Sequence, residues 1–288
     1  MSGLSDGLVL PARSAIVTGR SDWLPLAIGN VLRSRTSNIA QYLAIVIAVA
    51  YFVYSSAASM GYNWQWSRVP RYIYSFEDGQ FVPGPLLLGL VQTIIISACA
   101  GVLATTIGIT TAALRVSRSL LGRLLARVYL ELIRNTPLIV QISLFYFVLA
   151  PVFGLSRFGA GVLALAFFEG AFASEIFRSG ILAVPLGQWE ACSVLGLTRL
   201  QTFRLVVLPQ AVLMMLPPLV GVAVALIKDS SLVSVIALFE LTSAGRDAIA
   251  DSFMSFEIWL TVAAMYLCLT ATLSLFANHL HRRLRSKL

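Results

Sequence analysis

The sequence predicts an all-α polytopic membrane protein with about six transmembrane helices. Three observations carry that prediction. Of its 288 residues, 58% are hydrophobic and only 12% charged, about half the roughly 25% charged content of ordinary soluble domains. The mean hydropathy is +0.84. Finally, five long runs contain no Asp, Glu, Lys or Arg: 36–67, 79–114, 135–156, 205–227 and 258–281. Such a chain carries more apolar surface than one globular core can cover, which excludes a soluble enzyme and a disordered scaffold.

Each run can supply the roughly 20 apolar residues that cross a hydrocarbon core of about 30 Å. Helices are expected at 39–58, 86–113, 130–152, 207–227 and 258–279, with a sixth at 158–177 interrupted by Glu169 and Glu175. Helices are preferred because lipid offers no water to open backbone groups, and the runs lack the period-2 alternation of barrel strands. The first helix is followed by a long loop at 59–85 containing Trp64, Trp66, Tyr72, Tyr74, Pro83 and Pro85, which reads as an interfacial aromatic belt. The other five follow with compact connections. The expected organisation is therefore an N-terminal segment with an extra helix (1–84), a five-helix core (85–283) and a basic tail (284–288). No internal repeat stands out, which argues against inverted-repeat carriers.

The net charge of +8 could mark a nucleic-acid partner, but its placement points elsewhere. Fifteen of the 21 basic residues fall on one side of the expected spans, among them Arg13, Arg20, Arg33, Arg115, Arg118, Arg123, Arg127, Arg178, Arg199, Arg204, Arg282 and Lys287. The other side holds Arg68, Arg71, Arg157 and Arg246, while Arg134 and Lys228 lie near span ends. By the positive-inside rule both termini are cytoplasmic, and no nucleic acid is implied. The N-terminus does not read as a secretory signal. Cys99, Cys192 and Cys268 form neither a disulfide framework nor a metal spacing. The chain lacks a Gly-rich Lys-Ser/Thr phosphate loop, so any ATP hydrolysis belongs to another chain.

The most informative stretch is 185–209, PLGQWEACSVLGLTRLQTFRLVVLP. Its apolar residues recur at mostly helical spacing, and Gly196 divides it into two short helices. Pro209 sits where the next membrane helix starts, a position that tolerates a missing N–H. Either an amphipathic helix on the membrane or a docking element for a cytoplasmic partner fits this pattern. Glu190-Ala191-Cys192, Gly196 three residues later, and Val206-x-Leu208-Pro209 after nine more resemble the EAA loop of bacterial ABC importer permeases, with Cys192 and Val206 in place of Ala and Ile. In that family the loop inserts into a cleft on the ATPase and passes its closure to the membrane helices. The resemblance covers about 85–283. It includes 131–141, where Asn135 replaces the usual Gly of polar amino-acid permeases, and 169–180, where Phe172 replaces Tyr; Leu208 to Ala211, Pro217-Pro218 and 228–234 complete it.

An ionisable group within a span costs about 2.5 to 3.5 kcal/mol on insertion scales and is normally paired or faces a cavity. Glu169 either lines the pathway, meeting a substrate amino group, or bonds another helix. Glu175 and Glu131 are expected to pair with Arg178 and Arg134 at i+3. Pro217 and Pro218 should disturb their helix and mark it as pathway-lining. Arg134, Asn135, Thr136, Gln141, Lys228 and Asp229 are further pathway candidates, with Asp229 or Ser230 capping a following short helix. The resemblance implies a permease for polar amino acids in the bacterial inner membrane. Its partners would be two ATP-binding subunits holding ATP and Mg2+, a second identical or different permease chain, an extracytoplasmic binding protein and the lipid bilayer; the chain itself would bind no cofactor. The rival reading is a secondary amino-acid carrier that works without ATPases.

Overall fold

The structure is a computed structural model and describes residues 35–59 and 61–285. Arg13, Arg20, Arg33 and Lys287, used above for orientation, lie outside the described residues. The chain divides between Asn63 and Trp64 into two units. The first contains α1 (Arg35–Ser59), whose stretch Asn38–Ser56 is long and apolar enough to cross a membrane. The segment 64–84, grouped by sequence with the N-terminal helix, falls in the second unit.

The second unit opens with a 3-10 turn (Trp66–Arg68), a helical turn α2 (Pro70–Ile73) and a hairpin of β1 (Tyr74–Glu77) and β2 (Gln80–Pro83). Next come α3 (Pro85–Val116), α4 (Leu120–Arg134) and α5 (Leu138–Leu144), which continues through a π turn into α6 (Ala150–Phe153). Helix α7 (Arg157–Leu182) leads to the short α8 (Leu186–Val194) and α9 (Arg199–Thr202). A second π turn (Phe203–Val207) enters α10 (Leu208–Asp229), and a 3-10 stretch (Ser230–Ile236), α11 (Leu241–Ser252) and α12 (Ser255–Arg285) complete the chain. Among the described residues five helices can span a membrane, and six spans result if α4 and the α5–α6 segment form one.

Helices α3 and α7 form the centre of the core through small residues. A Cβ on Gly108 would lie 3.0 Å from Ala173 Cβ, and one on Gly170 would lie 2.9 Å from Ile107 Cγ2. With no apolar driving force between helices in lipid, such close backbone approach supplies the packing that holds spans together. Around this seam Ile96, Ala100, Ile142, Leu165 and Val233 are fully buried.

Three expectations are corrected. The third span is not a straight helix over 130–152: α4 begins at Leu120, and the chain turns by 108° between Arg134 and Leu138. Pro137 causes the corner, because it lacks an N–H and excludes helical geometry before it; its own ψ of 139° redirects the chain. Pro217 and Pro218 do not interrupt α10, which runs unbroken over 22 residues. Neither Asp229 nor Ser230 caps the following turn: Asp229 makes no capping bond, and Ser230 Oγ donates back to Ile227 O at 2.7 Å.

Candidate functional site: the 185–209 element and the polar residues of the spans

Local chemistry makes 185–209 a fixed two-helix element. Helix α8 ends with Gly196 N donating to Ser193 O at 3.1 Å and Leu197 N to Cys192 O at 3.0 Å. Gly196 has φ +72, the left-handed conformation that closes a helix this way and suits glycine. Nothing lies within 4 Å of the place a Cβ would occupy, so the backbone alone requires glycine there. Thr198 then starts α9 with a reciprocal cap: its hydroxyl accepts from Gln201 N, while Gln201 Oε1 accepts from Thr198 N at 2.9 Å.

The element has two unlike faces. Toward the bundle, Cys192 is 4% exposed, and Trp189 packs with Phe203 on a cluster of Val184, Val207, Ala211 and Met215. On the other face Leu186, Val194, Leu195 and Leu200 are 77%, 87%, 77% and 74% exposed. Four bare aliphatic side chains on so short an element form a patch, which marks an interaction surface more strongly than scattered surface residues do. Glu190 and Ala191 are exposed beside them. The inner cluster joins α7 to α10 at close range, since a Cβ on Gly180 would lie 2.3 Å from Met215 Cγ. Motion of α8 would therefore push both spans through Trp189.

At the same end of α7, Glu175 accepts from Arg178 at 2.5 Å, as expected, and also from Arg115 on α3. The second partner escaped sequence reasoning because it lies 60 positions away. Glu131 and Arg134 do not pair. Glu131 instead accepts from Asn135 Nδ2 at 2.9 Å, and the Arg134 guanidinium lies over the Phe172 ring, 5.8 Å from its centroid. An aromatic face and the adjacent amide satisfy these groups without an ion pair.

Most of the remaining pathway candidates fall into two groups. Glu169, 2% exposed on α7, lies within hydrogen-bonding reach of Asp229 on α10. This joins two residues 60 positions apart that the sequence had singled out separately. The second group sits at the Pro137 corner. Gln141 Nε2 donates to Ile133 O at 2.8 Å and Thr136 Oγ1 at 2.7 Å, and Thr136 Oγ1 donates to Leu132 O at 2.9 Å. Gln141 thus staples α5 to the last turn of α4. Beyond it Arg127, Glu131 and Asn135 follow at i, i+4 and i+8 along the exposed side of α4. Pro217 and Pro218 are both exposed. Lys228 borders a cavity of about 300 Å³ with Ser231, Thr242, Trp259 and Tyr266. A larger cavity of about 820 Å³ lies between α3, α7, α10 and α12, but its wall is apolar and none of the candidate pathway residues lines it.

Sequence reasoning also missed two buried carboxylates, Glu240 and Glu257, both 0% exposed. Glu240 begins α11, accepting from Thr242 N and Ser243 N at 2.7 Å each and from Tyr266 Oη at 2.8 Å. A Glu one residue before Leu-Thr-Ser at a helix start was the available signal. Glu257 accepts from Gln65 N at 2.6 Å, a long-range contact with no local signature. No group of three or more His, Cys, Asp or Glu able to hold a metal occurs among the described residues.

Comparison with known proteins gives a consistent result. The family described as binding-protein-dependent transport system inner membrane component matches residues 104–286. The glutamine transport system permease protein GlnP of Escherichia coli (strain K12) is 38% identical over 231 residues, covering 78% of this chain and 99% of that protein. The L-cystine transport system permease protein TcyB of Bacillus subtilis (strain 168) is 36% identical over 199 residues, covering 68% of this chain and 85% of its own length. A solved structure of an amino acid ABC transporter with histidines superposes with a TM-score of 0.65 at 35% identity, over 69% of this chain and 94% of that one. The MetNI methionine ABC transporter shares the fold, with a TM-score of 0.61 at 19% identity.

Proposed function

The chain belongs to the family of binding-protein-dependent transport system inner membrane components, and from that membership we propose that it moves a polar amino acid across the bacterial inner membrane at the expense of ATP. It is a multi-pass permease subunit, and the ATPase of such a system is a separate chain. Its glutamine- and cystine-transport relatives support the cargo class. The bare Leu186–Val194–Leu195–Leu200 face carries the reading: it is apolar, rigidly presented and unpaired within the chain. A secondary carrier has no use for such a face.

In this reading two ATPase subunits, each holding ATP and Mg2+, receive the α8–α9 elements of two permease chains, identical or different. Both termini lie on that cytoplasmic side, in keeping with the basic residues there. ATP binding closes the ATPases and displaces α8. Trp189 then presses on the Val207–Ala211–Met215 cluster, shifting α7 and α10 so that the pathway opens toward the binding protein. ATP favours this state only to the extent that it binds the closed ATPases more tightly.

The released amino acid passes along groups that are polar at membrane depth. Glu131 and Asn135 would face the second permease chain and the path, with Arg134 and Thr136 at the corner and Gln141 holding its shape. Glu169 and Asp229 would meet the substrate ammonium once the helices part, while Pro217, Pro218 and Lys228 line the remaining wall. Expression of Leu195→Asp with the partner subunits tests the docking claim. The expected result is an inserted chain that no longer co-purifies with the ATPases and lacks ATP-driven uptake; full uptake with bound ATPases would refute it.

A further inference from the structure

The segment preceding α3 lies outside the family match, which begins at residue 104. Its hairpin pairs Tyr74 with Pro83, Ser75 with Val82 and Phe76 with Phe81. Asp78 (φ 51) and Gly79 (φ 78) make the tip, an Asp-Gly pair in the two-residue turn that suits strand twist. Because side chains alternate between faces, Tyr74, Phe76, Phe81 and Pro83 share one side, and Ser75, Gln80 and Val82 the other. The three rings touch, with centroids 6.0 to 6.2 Å apart. Yet Tyr74, Phe76 and Phe81 remain 43%, 68% and 55% exposed. A lone two-stranded hairpin is marginal in water, so this face needs a cover.

Three observations select the lipid headgroup layer as that cover. The hairpin is rooted where spans begin: Gly84 N donates to Ile73 O at 2.8 Å, and Pro85 starts α3. Tyr72 and Ile73 pack on the buried Leu86, Met254 and Ile258 at the starts of α3 and α12. Aromatic residues also crowd that end. The bond from Gln65 N to Glu257 fastens Trp64 and Trp66 to the first turn of α12, where Trp64 lies 5.8 Å from Phe256. Trp64, Trp66, Phe256 and Trp259 are each partly exposed there, the mixture found where membrane meets water. Charge is arranged to match, because the exposed Arg68 and Arg71 lie at the hairpin root, on the approach to phosphate groups, whereas Asp78 occupies the far tip.

We propose that the 74–83 hairpin is an interfacial anchor, lying on the bilayer with Tyr74, Phe76 and Phe81 among the lipid headgroups and Arg68 and Arg71 at the phosphates. The inference rests on the membrane placement above but not on transport. The test places the photocrosslinker p-benzoylphenylalanine at Phe76, Phe81 or Gln80. The assembled transporter is irradiated in phosphatidylethanolamine–phosphatidylglycerol liposomes with binding protein present. Phospholipid adducts are expected at 76 and 81, with several-fold lower yield at 80 on the opposite face. Adducts to the binding protein or a second permease chain at 76 and 81, or equal lipid yield at all three positions, would overturn the proposal. If the crosslinker disturbs the hairpin, Phe76→Trp in brominated lipid provides the same discrimination: fluorescence beyond that of the unsubstituted chain should be quenched, and unquenched emission overturns the anchor. Uptake by the same liposomes is read separately, so lipid adducts without uptake would sink the transport reading and leave the anchor standing.

Discussion

The two ends of the helical core solve the problem of order in opposite ways. At the α11 end, carboxyl groups are buried and engaged: Glu240 is inaccessible and takes up two backbone amides and a tyrosine hydroxyl, and Glu257 holds the backbone amide of Gln65, from the segment before α2. At the α8–α9 end, aliphatic side chains lie bare, and the inner face rests on apolar packing beside a π turn. Directional bonds between buried groups permit one arrangement and penalise any other. Apolar contacts are non-directional and can slide. The first end therefore fixes register, while the second leaves room for the docking and movement proposed for it.

The strongest way to break that contrast is Glu240→Ala. It strands two amide donors and removes the acceptor of the Tyr266 hydroxyl, and each unpaired buried donor costs about 1–3 kcal/mol. Thermal unfolding of the purified complex should shift sharply downward, with uptake falling in proportion to surviving protein. Gly180→Leu comes next. It drives a side chain into Met215, and such overpacking costs about 1–3 kcal/mol. If the seam carries the proposed motion, uptake should drop more than folded protein; an equal loss of both would make the seam merely structural.

A smaller stability change is expected for Gly196→Val. No neighbour obstructs the side chain, but left-handed backbone costs a non-glycine residue about 1–2 kcal/mol. Insertion should survive while ATP-coupled uptake is lost. Tyr266→Phe removes the hydroxyl that donates to Glu240 and bonds Thr242 Oγ1, worth about 1 kcal/mol per hydrogen bond, and should show as a loss in thermal stability with uptake retained. A severe loss of uptake would mean that the α11 end also moves.

What the sequence could reveal follows from the range of each interaction. The 185–209 element was legible because its information is local: Gly196 at a helix end, Thr198 three residues before Gln201, and Pro209 at a helix start are spaced signals along one segment. The Pro137 corner was only half legible. A charge-free run reports hydrophobicity but no direction, and α4 before the corner is helical despite its charges. Pro217 and Pro218 misled for the converse reason, since surrounding packing can hold a helix together where two of its hydrogen bonds are missing. The hairpin was locally encoded by aromatic residues alternating around Asp78-Gly79 and was overlooked among an apparent loop. The Arg115–Glu175 and Gln65–Glu257 contacts join distant segments, and no spacing rule announces them.

Trp189 offers the most direct test of the claim that α8 passes ATPase closure to α7 and α10, because it belongs to the inner face and leaves the outer one intact. In proteoliposomes containing the full transporter, amino acid imported per ATP hydrolysed should be compared for the unsubstituted chain and Trp189→Ala. The account predicts that the ATPases still co-purify and hydrolyse ATP while the transported amount per ATP collapses. An unchanged ratio in that variant would contradict it.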